Sequence, residues 1–247
     1  MVSIHPEGSW DPRSFLITES GIHVWFAQLE LPDDALSRLR SLLSGDEIER
    51  ACRLRFPHAR RRFIASRGIL RDLLGRYLGI EPVGLRFVYN HHGKPALDGA
   101  LVQGLSFNVA HAGNVAFYGI ASGRLIGIDV ERLRTDLPLN LAEHFFSERE
   151  RQSLRSVPAS LRTVAFFNCW TRKEAYIKAR GLGLSLPLRD FDVTLKPGEP
   201  VALLEVRGDS AGSGVWSLRA LPAPLGYVAA LAVEGVDVRL RVREWSP

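Results

Sequence analysis

The order of predicted secondary-structure elements repeats once along this chain of 247 residues. Each half contains one long helix and about three strands, and the second set begins after the turn at Ser122-Gly123-Arg124. The long helices are predicted over residues 60–78 and 161–179. No clear repeat of the sequence itself accompanies this repeat of element order. The pattern predicts an α+β fold of two similar halves, residues 1–124 and 125–247.

Shorter elements complete each half. Strands are predicted where apolar side chains alternate or cluster between Gly-containing turns, and short helices where an acidic or hydroxyl residue precedes an apolar repeat. The predicted strands are residues 21–31, 85–89, 106–110, 115–121, 125–131, 201–206, 215–221 and 227–233, and the predicted short helices are residues 33–43, 141–146 and 148–154.

The composition, 46% hydrophobic and 24% charged, excludes a disordered or collagen-like chain. A chain of this length buries roughly three-quarters of its unfolded surface, so no disulfide is needed and both cysteines are expected to be free. The first residues lack a basic segment followed by an apolar run, and no uncharged apolar run approaches about 18 residues. We therefore expect a cytoplasmic protein without a membrane partner.

The basic residues slightly outnumber the acidic ones, 32 to 27, which gives a formal net charge of +5. The arginine excess concentrates in residues 50–76. This segment suits a nucleic-acid face, a phosphate pocket or a solvated helix surface, and composition alone favours the solvated surface.

Two carboxylates lie close together in the segment GIDVERLR. Asp129 and Glu131 are two residues apart on a predicted strand, so both side chains project from one face. Neighbouring carboxylates repel each other unless a cation lies between them. The alternative is an ordinary charged strand end exposed to solvent.

A third carboxylate lies on the second long helix. Trp170, Glu174 and Lys178 are spaced at i, i+4 and i+8, so they share one stripe with buried aromatic residues. The alternative for Glu174 and Lys178 is a surface ion pair. With Asp129 and Glu131, however, Glu174 supplies the oxygen donors that suit a hard ion such as Mg2+.

Four segments together are similar to the signature motifs of a known family. GKPAL, FNVAHAG, GIDVE and WTRKEAYIKARGLGLSLPL occur in the order found in the 4'-phosphopantetheinyl transferases, in the long monomeric branch typified by the surfactin-synthetase activator. The resemblance extends from about residue 50 to residue 193. It implies a pseudo-dimer of two α+β halves with the active site in the cleft between them, and a metal site in the second half. It also implies transfer of the 4'-phosphopantetheine arm of coenzyme A to a serine of an apo acyl or peptidyl carrier protein, giving holo carrier and 3',5'-ADP.

The resemblance assigns roles to individual residues. Asp129, Glu131 and Glu174 match the ligands of Mg2+, with Mn2+ as an alternative; Glu174 also matches the base that deprotonates the serine hydroxyl, and Lys178 the lysine that stabilises charge on the departing nucleotide. The residues that match coenzyme A contacts are Arg62, Arg67, Gly93, Lys94, Pro95, Ala110, His111, Ala112, Lys173 and Lys178.

The chain departs from the family pattern around His111. Ala110 and Ala112 replace two serines, so two hydroxyl donors are missing. The departure leaves open a catalytically impaired homologue that only binds coenzyme A or carrier protein. A nucleic-acid-binding module is the other alternative, but it gives the three carboxylates no role because they repel phosphate unless a metal is bound. We expect a monomeric enzyme without a nucleic-acid partner.

Overall fold

The structure, a computed structural model, describes residues 4–5, 15–18, 21–99, 104–134, 139–208 and 215–247. The elements of the first half are β1 (Ile4–His5), β2 (Gly21–Gln28), α1 (Asp33–Ser41), α2 (Gly45–Arg53), α3 (Pro57–Leu78), β3 (Phe87–Tyr89), β4 (Pro95–Leu97), β5 (Leu105–Ala112) and β6 (Val115–Ser122). Those that follow are β7 (Ile126–Arg132), α4 (Leu139–Phe145), α5 (Glu148–Arg155), α6 (Arg162–Arg180), β8 (Phe191–Val193), β9 (Leu203–Val206), β10 (Trp216–Leu221), β11 (Tyr227–Glu234) and β12 (Arg239–Glu244).

The predicted α+β fold of two similar halves is confirmed. In the first half β2, β6 and β5 are neighbours in that order, and in the second half β7, β11 and β10 are, so the first, last and middle strands recur in the same arrangement. Both sets are antiparallel. Each half also has a two-stranded hairpin after its long helix, β3 with β4 and β8 with β9.

The repeat extends to individual residues that the sequence prediction did not align. Residues 21–25 read GIHVW and residues 127–131 read GIDVE. Ser44 and Ser147 each form a capping box with the glutamate three residues later, and both glutamates are buried. The long helices α3 and α6 end at glycines in the left-handed conformation, Gly79 and Gly181.

Three apolar clusters hold the fold together. One lies between α3 and the first sheet, and one surrounds α6 in the second half. The third joins the halves: Ile22 and Val24 of β2 meet Ile128 and Val130 of β7. Alternation along β2 and β7 therefore points one face at the other half and the opposite face at the long helix of its own half.

The last strand departs from the predicted division into residues 1–124 and 125–247. β12 pairs in parallel with β2, so residues 239–244 lie in the sheet of the first half. Trp245 continues this contact through a backbone hydrogen bond to the Phe26 carbonyl. The division at residue 124 therefore does not hold for the end of the chain.

Several elements differ from their predicted bounds. The strand predicted over residues 21–31 ends at Gln28, and α3 begins at Pro57, because proline is favoured in the first turn of a helix. Helix α2 and strands β4, β8 and β12 were not predicted. Within the described residues, no helix is long and apolar enough to cross a membrane.

Candidate active site

A cleft of about 280 Å3 lies between the two halves. It brings together residues from four of the motifs singled out in the sequence. Its lining residues are His92, Gly93, Lys94, Pro95, Asn108 and Val109 from the first half, and Glu174, Ile177, Lys178, Gly181 and Gly183 from the second. Of the predicted site residues, Gly93, Lys94, Pro95, Glu174 and Lys178 therefore line one cavity.

Close packing of α6 on β7 sets the spacing of the acidic residues. A Cβ at Gly127 would overlap the Ala175 carbonyl oxygen and the Ala179 amide nitrogen, so the helix backbone rests directly on the strand there. Asp129, two residues further along the same face, then lies within reach of Lys178. The glycine of GIDVE thus positions the carboxylate of the same motif.

Asp129 and Lys178 form the central ion pair. The Lys178 Nζ donates to Asp129 Oδ1 at 2.5 Å, while Asp129 Oδ2 is buried and has no hydrogen-bond partner among the described residues. Burial raises the pKa of Asp129 to about 7, the positive charge of Lys178 opposes this rise, and the charges of Glu131 and Glu174 add to it. Asp129 is therefore held close to the point of taking up a proton.

The other two carboxylates show the same tendency. Burial raises the pKa of Glu131, partly offset by Arg134 and Lys178, and the Trp170 indole hydrogen-bonds to its carboxylate. Burial also raises the pKa of Glu174, opposed by Lys178. Each of the three is thus disfavoured as an anion in the absence of a further cation.

The donor set fits a hard divalent cation in chemistry, although the side chains do not converge as they stand. No group of three His, Cys, Asp or Glu side chains in the described part of the chain is arranged to hold a metal ion. The three carboxylates nonetheless influence one another's charge, and Asp129 Oδ2 offers a buried oxygen without a partner. These are the oxygen ligands that Mg2+ and Mn2+ prefer.

Basic groups face the site from the first half. The positive charges of Lys178 and Arg62 act on the His111 ring, which lies on β5, and together with partial desolvation they lower the pKa of His111. His111 keeps contact with solvent. The structure therefore brings Arg62, His111 and Lys178 together as predicted from the resemblance, although none of them touches a ligand here.

The alanines beside His111 lie on the opposite face of β5. Ala110 is buried in the apolar cluster between the halves, and Ala112 packs at its edge. A serine hydroxyl at Ala110 would point into this cluster rather than along the face that carries His111. Contacts from these positions to a ligand would have to come from the backbone.

Arg67 lies elsewhere, contrary to its predicted place. Its guanidinium pairs with Glu47, donates to the Tyr89 hydroxyl at 2.7 Å and covers the Phe87 ring. These groups line a separate cavity of about 570 Å3 that shares no lining residue with the cleft. Arg67 is therefore held by its own half, because Glu47 and Tyr89 occupy its donors.

Lys173 is also misplaced by the sequence prediction. Its side chain is fully buried, and Nζ contacts Glu150 Oε1 at 2.8 Å and donates to the carbonyls of Leu188 at 2.7 Å and Phe191 at 2.6 Å. An ammonium with three acceptors inside the core has no free donor for a phosphate. Lys173 joins α6 to its own half instead of facing the cleft.

Two asparagines at the cleft were not singled out in the sequence. Asn108 Oδ1 accepts the Ile128 N–H at 2.8 Å, which joins β5 to β7 across the boundary between the halves. The Asn90 amide donates to the Gly181 carbonyl at 2.9 Å. Asn108 stands in the quoted FNVAHAG segment, so its polar side chain in an apolar strand was the available signal.

The fold and the cleft define a class of protein with two similar α+β halves and one acidic and basic site between them. Two family models match the chain: "4'-phosphopantetheinyl transferase superfamily" over residues 125–232 and "4'-phosphopantetheinyl transferase, N-terminal" over residues 32–123. The chain belongs to the 4'-phosphopantetheinyl transferase superfamily.

Individual relatives agree with this assignment. The chain is 41% identical over 226 residues to the 4'-phosphopantetheinyl transferase HetI of Nostoc sp., covering 91% of this chain and 92% of that protein. It is 28% identical over 173 residues to the 4'-phosphopantetheinyl transferase Sfp of Bacillus subtilis, covering 70% and 75%. A solved ACPS–CoA complex of Chronobacterium ammoniagenes covers 44% of this chain and 94% of that chain, with 21% identity and a TM-score of 0.33.

Proposed function

We propose that this protein transfers the 4'-phosphopantetheine arm of coenzyme A to a serine of an apo acyl or peptidyl carrier protein, releasing 3',5'-ADP. The observation that carries the proposal is the cleft in which Glu174 and Lys178 of α6 lie beside Asp129 of β7. Membership of the superfamily supplies the reaction class.

The cleft residues suit the two tasks of this reaction, which are removal of one proton and control of phosphate charge. Glu174 lines the cleft and has a raised pKa, so its proton affinity is closer to neutrality and it serves as the base for the serine hydroxyl. Lys178, His111 and Arg62 place positive or donor groups where the phosphates of coenzyme A enter.

Asp129, Glu131 and Glu174 would hold Mg2+, or Mn2+ in its place. When bound, such an ion neutralises charge on phosphate oxygens. Lys178 then has a second task, since it keeps Asp129 ionised, and an ionised carboxylate is the form that binds a cation.

The partner surface is expected to be basic. Arg50, Arg53, Arg55, Arg60 and Arg61 are all exposed around the start of α3. Carrier proteins are acidic helical domains, and a surface of opposite charge accelerates their association. We further propose that the enzyme acts as a monomer in the cytoplasm, without a nucleic-acid or membrane partner.

Intact mass spectrometry of an apo carrier protein incubated with this protein, coenzyme A and Mg2+ tests the proposal. We expect a gain of one phosphopantetheine that requires the metal. Glu174→Ala should lower the rate by roughly 10²- to 10⁴-fold, the usual contribution of a general base, and Asp129→Ala should abolish the metal dependence together with most of the activity.

A matched control is Glu205→Ala, which removes an exposed carboxylate of β9 far along the chain from the motifs. It should leave transfer unchanged. Transfer that survives Glu174→Ala in a folded protein would contradict the assignment of the base. Binding of coenzyme A without transfer to fatty-acid, polyketide or peptide carriers would favour the impaired homologue.

A further inference from the structure

The turn formed by residues 90–95, here called the cleft turn, connects β3 and β4 at the rim of the cleft. Its backbone closes on itself: the Asn90 N–H donates to the Lys94 carbonyl at 3.0 Å and the Gly93 N–H to the Asn90 carbonyl at 2.9 Å. Gly93 has a φ of 78°, which favours glycine. The Asn90 side-chain oxygen also accepts the N–H groups of His92 and Lys94, so Asn90 shapes the whole turn.

The same two residues attach the cleft turn to the other half of the protein. The Asn90 amide donates to the Gly181 carbonyl, and the Lys94 Nζ donates to the carbonyls of Ala179 and Ile126, each at 3.1 Å. Ala179 and Gly181 lie at the C-terminal end of α6, where carbonyls lack helical partners and the helix dipole favours a cation.

These acceptors belong to the elements that carry the site. Helix α6 presents Glu174 and Lys178, and Ile126 is the first residue of β7, three residues before Asp129. The cleft turn supplies the facing wall, through His92, Gly93, Lys94 and Pro95. The width of the cleft is therefore set by the hydrogen bonds of Asn90 and Lys94 rather than by apolar packing at that point.

We propose that Asn90 and Lys94 are positioning residues that hold the cleft turn at a fixed distance from α6 and β7, and so preorganise the cleft for its ligand. The proposal rests on the proposed function, because the ligand is taken to be coenzyme A. It also reassigns Lys94: its ammonium is engaged by two carbonyls, so it holds the wall of the cleft instead of contacting phosphate.

Loosening the turn should weaken ligand binding more than it slows the chemistry. Neither residue touches the carboxylates, and a wall that must be ordered on binding lowers affinity. We expect Asn90→Ala to raise the KM for coenzyme A by about five- to tenfold, the value of roughly one hydrogen bond, and to change kcat by less than about twofold.

The comparison of two variants separates positioning from direct phosphate contact. Asn90→Ala carries no change in charge, whereas Lys94→Met removes one. If both residues act by holding the same turn, the double variant should have a KM well below the product of the two single effects, because coupled positions are not additive. Lys94→Arg should restore most of the affinity, since its guanidinium can also donate to two carbonyls.

Hydrogen–deuterium exchange of the free protein gives a readout that does not need activity. Asn90→Ala and Lys94→Met should both speed exchange in residues 90–97 and in residues 181–186, with the rest of the chain unchanged. The matched control is Asn168→Ala, which removes a similar amide-to-carbonyl bond from α6 to Leu195 outside the cleft. It should alter neither the exchange of the cleft turn nor the KM.

Two results would overturn the inference. One is unchanged exchange in both segments for both variants, which would show that other contacts hold the turn. The other is a Lys94→Met effect that multiplies with that of Asn90→Ala and disappears at high salt, which would make Lys94 a direct anion contact. Failure of transferase activity with altered exchange would refute the proposed function while leaving the role of the turn intact.

Discussion

Replacing Lys173 by methionine tests whether the structure places this lysine correctly. Lys173 and Glu150 form an ion pair whose side chains are 0% and 1% exposed. Glu150 also accepts the N–H groups of Val193 and Ser147. Methionine fills much of the volume but leaves Glu150 without its cation.

The magnitude follows from this burial. Removing one partner of a buried ion pair typically costs about 3–5 kcal/mol, because the remaining charge is uncompensated. We expect Lys173→Met to lose about 4 kcal/mol, a large share of the roughly 5–15 kcal/mol that ordinarily stabilises a domain. For a chain of this size that loss lowers the Tm by roughly 10 °C.

The pH dependence gives an independent check. Burial already raises the pKa of Glu150, and loss of Lys173 raises it further. A carboxyl whose folded pKa lies above its unfolded value binds its proton more tightly when folded, so its folded state is favoured as the pH falls. The stability deficit of Lys173→Met should therefore be smaller at pH 5.5 than at pH 8, and Glu150→Gln in the same background should remove this difference.

Urea unfolding followed by circular dichroism measures the deficit, and Lys178→Met is the matched control on the same helix. Lys178 pairs with Asp129, whose pKa of about 7 lets it take up a proton cheaply. Lys178→Met should therefore lose transfer while keeping most of its stability. A deficit below about 1 kcal/mol for Lys173→Met, with a raised KM for coenzyme A, would refute the structural role and restore the phosphate contact.

Two further predictions concern β2 and β7. Burial, with the charges of Arg241 and Arg243, lowers the pKa of His23 to about 4; because the unfolded chain takes up this proton first, stability should fall by up to about 3 kcal/mol between pH 6.5 and 4, and His23→Gln should reduce that slope in urea titrations. Gly127→Ala should cost roughly 3 kcal/mol and lower kcat/KM at least about tenfold, because its Cβ overlaps the α6 backbone. Gly45→Ala, whose Cβ meets no atom within 4 Å, is the control and should be neutral in both assays.

The elements that sequence could predict are those whose signals are local. Periodicity located α3 and α6, and alternation with Gly turns located the strands of the two sheets. Helix α2 was missed although Ser44 and Glu47 form a capping box with a readable spacing. Strand β12 was harder, because its partner β2 lies at the other end of the chain and no local pattern specifies that pairing.

Two site residues were misplaced for a geometric reason. Consecutive helix residues are about 100° apart, so Lys173 cannot share the cleft-facing stripe of its neighbour Glu174. Arg62 and Arg67 differ by five positions, or about 140° around α3, and so face different surroundings. The structure places Arg62 near His111 and Arg67 on Glu47. Helical phase would have separated these residues without a structure, whereas the bond from Asn90 to Gly181 depends on tertiary packing alone.

The internal repeat explains why a chain of two similar halves has a single such cleft. His23 and Trp25 occupy the places in β2 that Asp129 and Glu131 occupy in β7, on the face that meets the long helix. Their polar groups are satisfied locally, since the Tyr77 hydroxyl bonds both His23 Nδ1 and Trp25 Nε1. By contrast, Asp129 Oδ2 has no partner within the part of the chain described.

The helices show the same contrast. Asp72 and Arg76 of α3 stand four residues apart before Gly79, as Glu174 and Lys178 do before Gly181, and they form a helix-surface ion pair. The Trp245 indole N–H then donates to Asp72 Oδ2 at 2.9 Å. Trp245 reaches Asp72 because β12 crosses into the first sheet. In the first half the corresponding carboxylate is therefore consumed by packing of the C-terminal segment, and only the second half leaves its carboxylates facing a cleft.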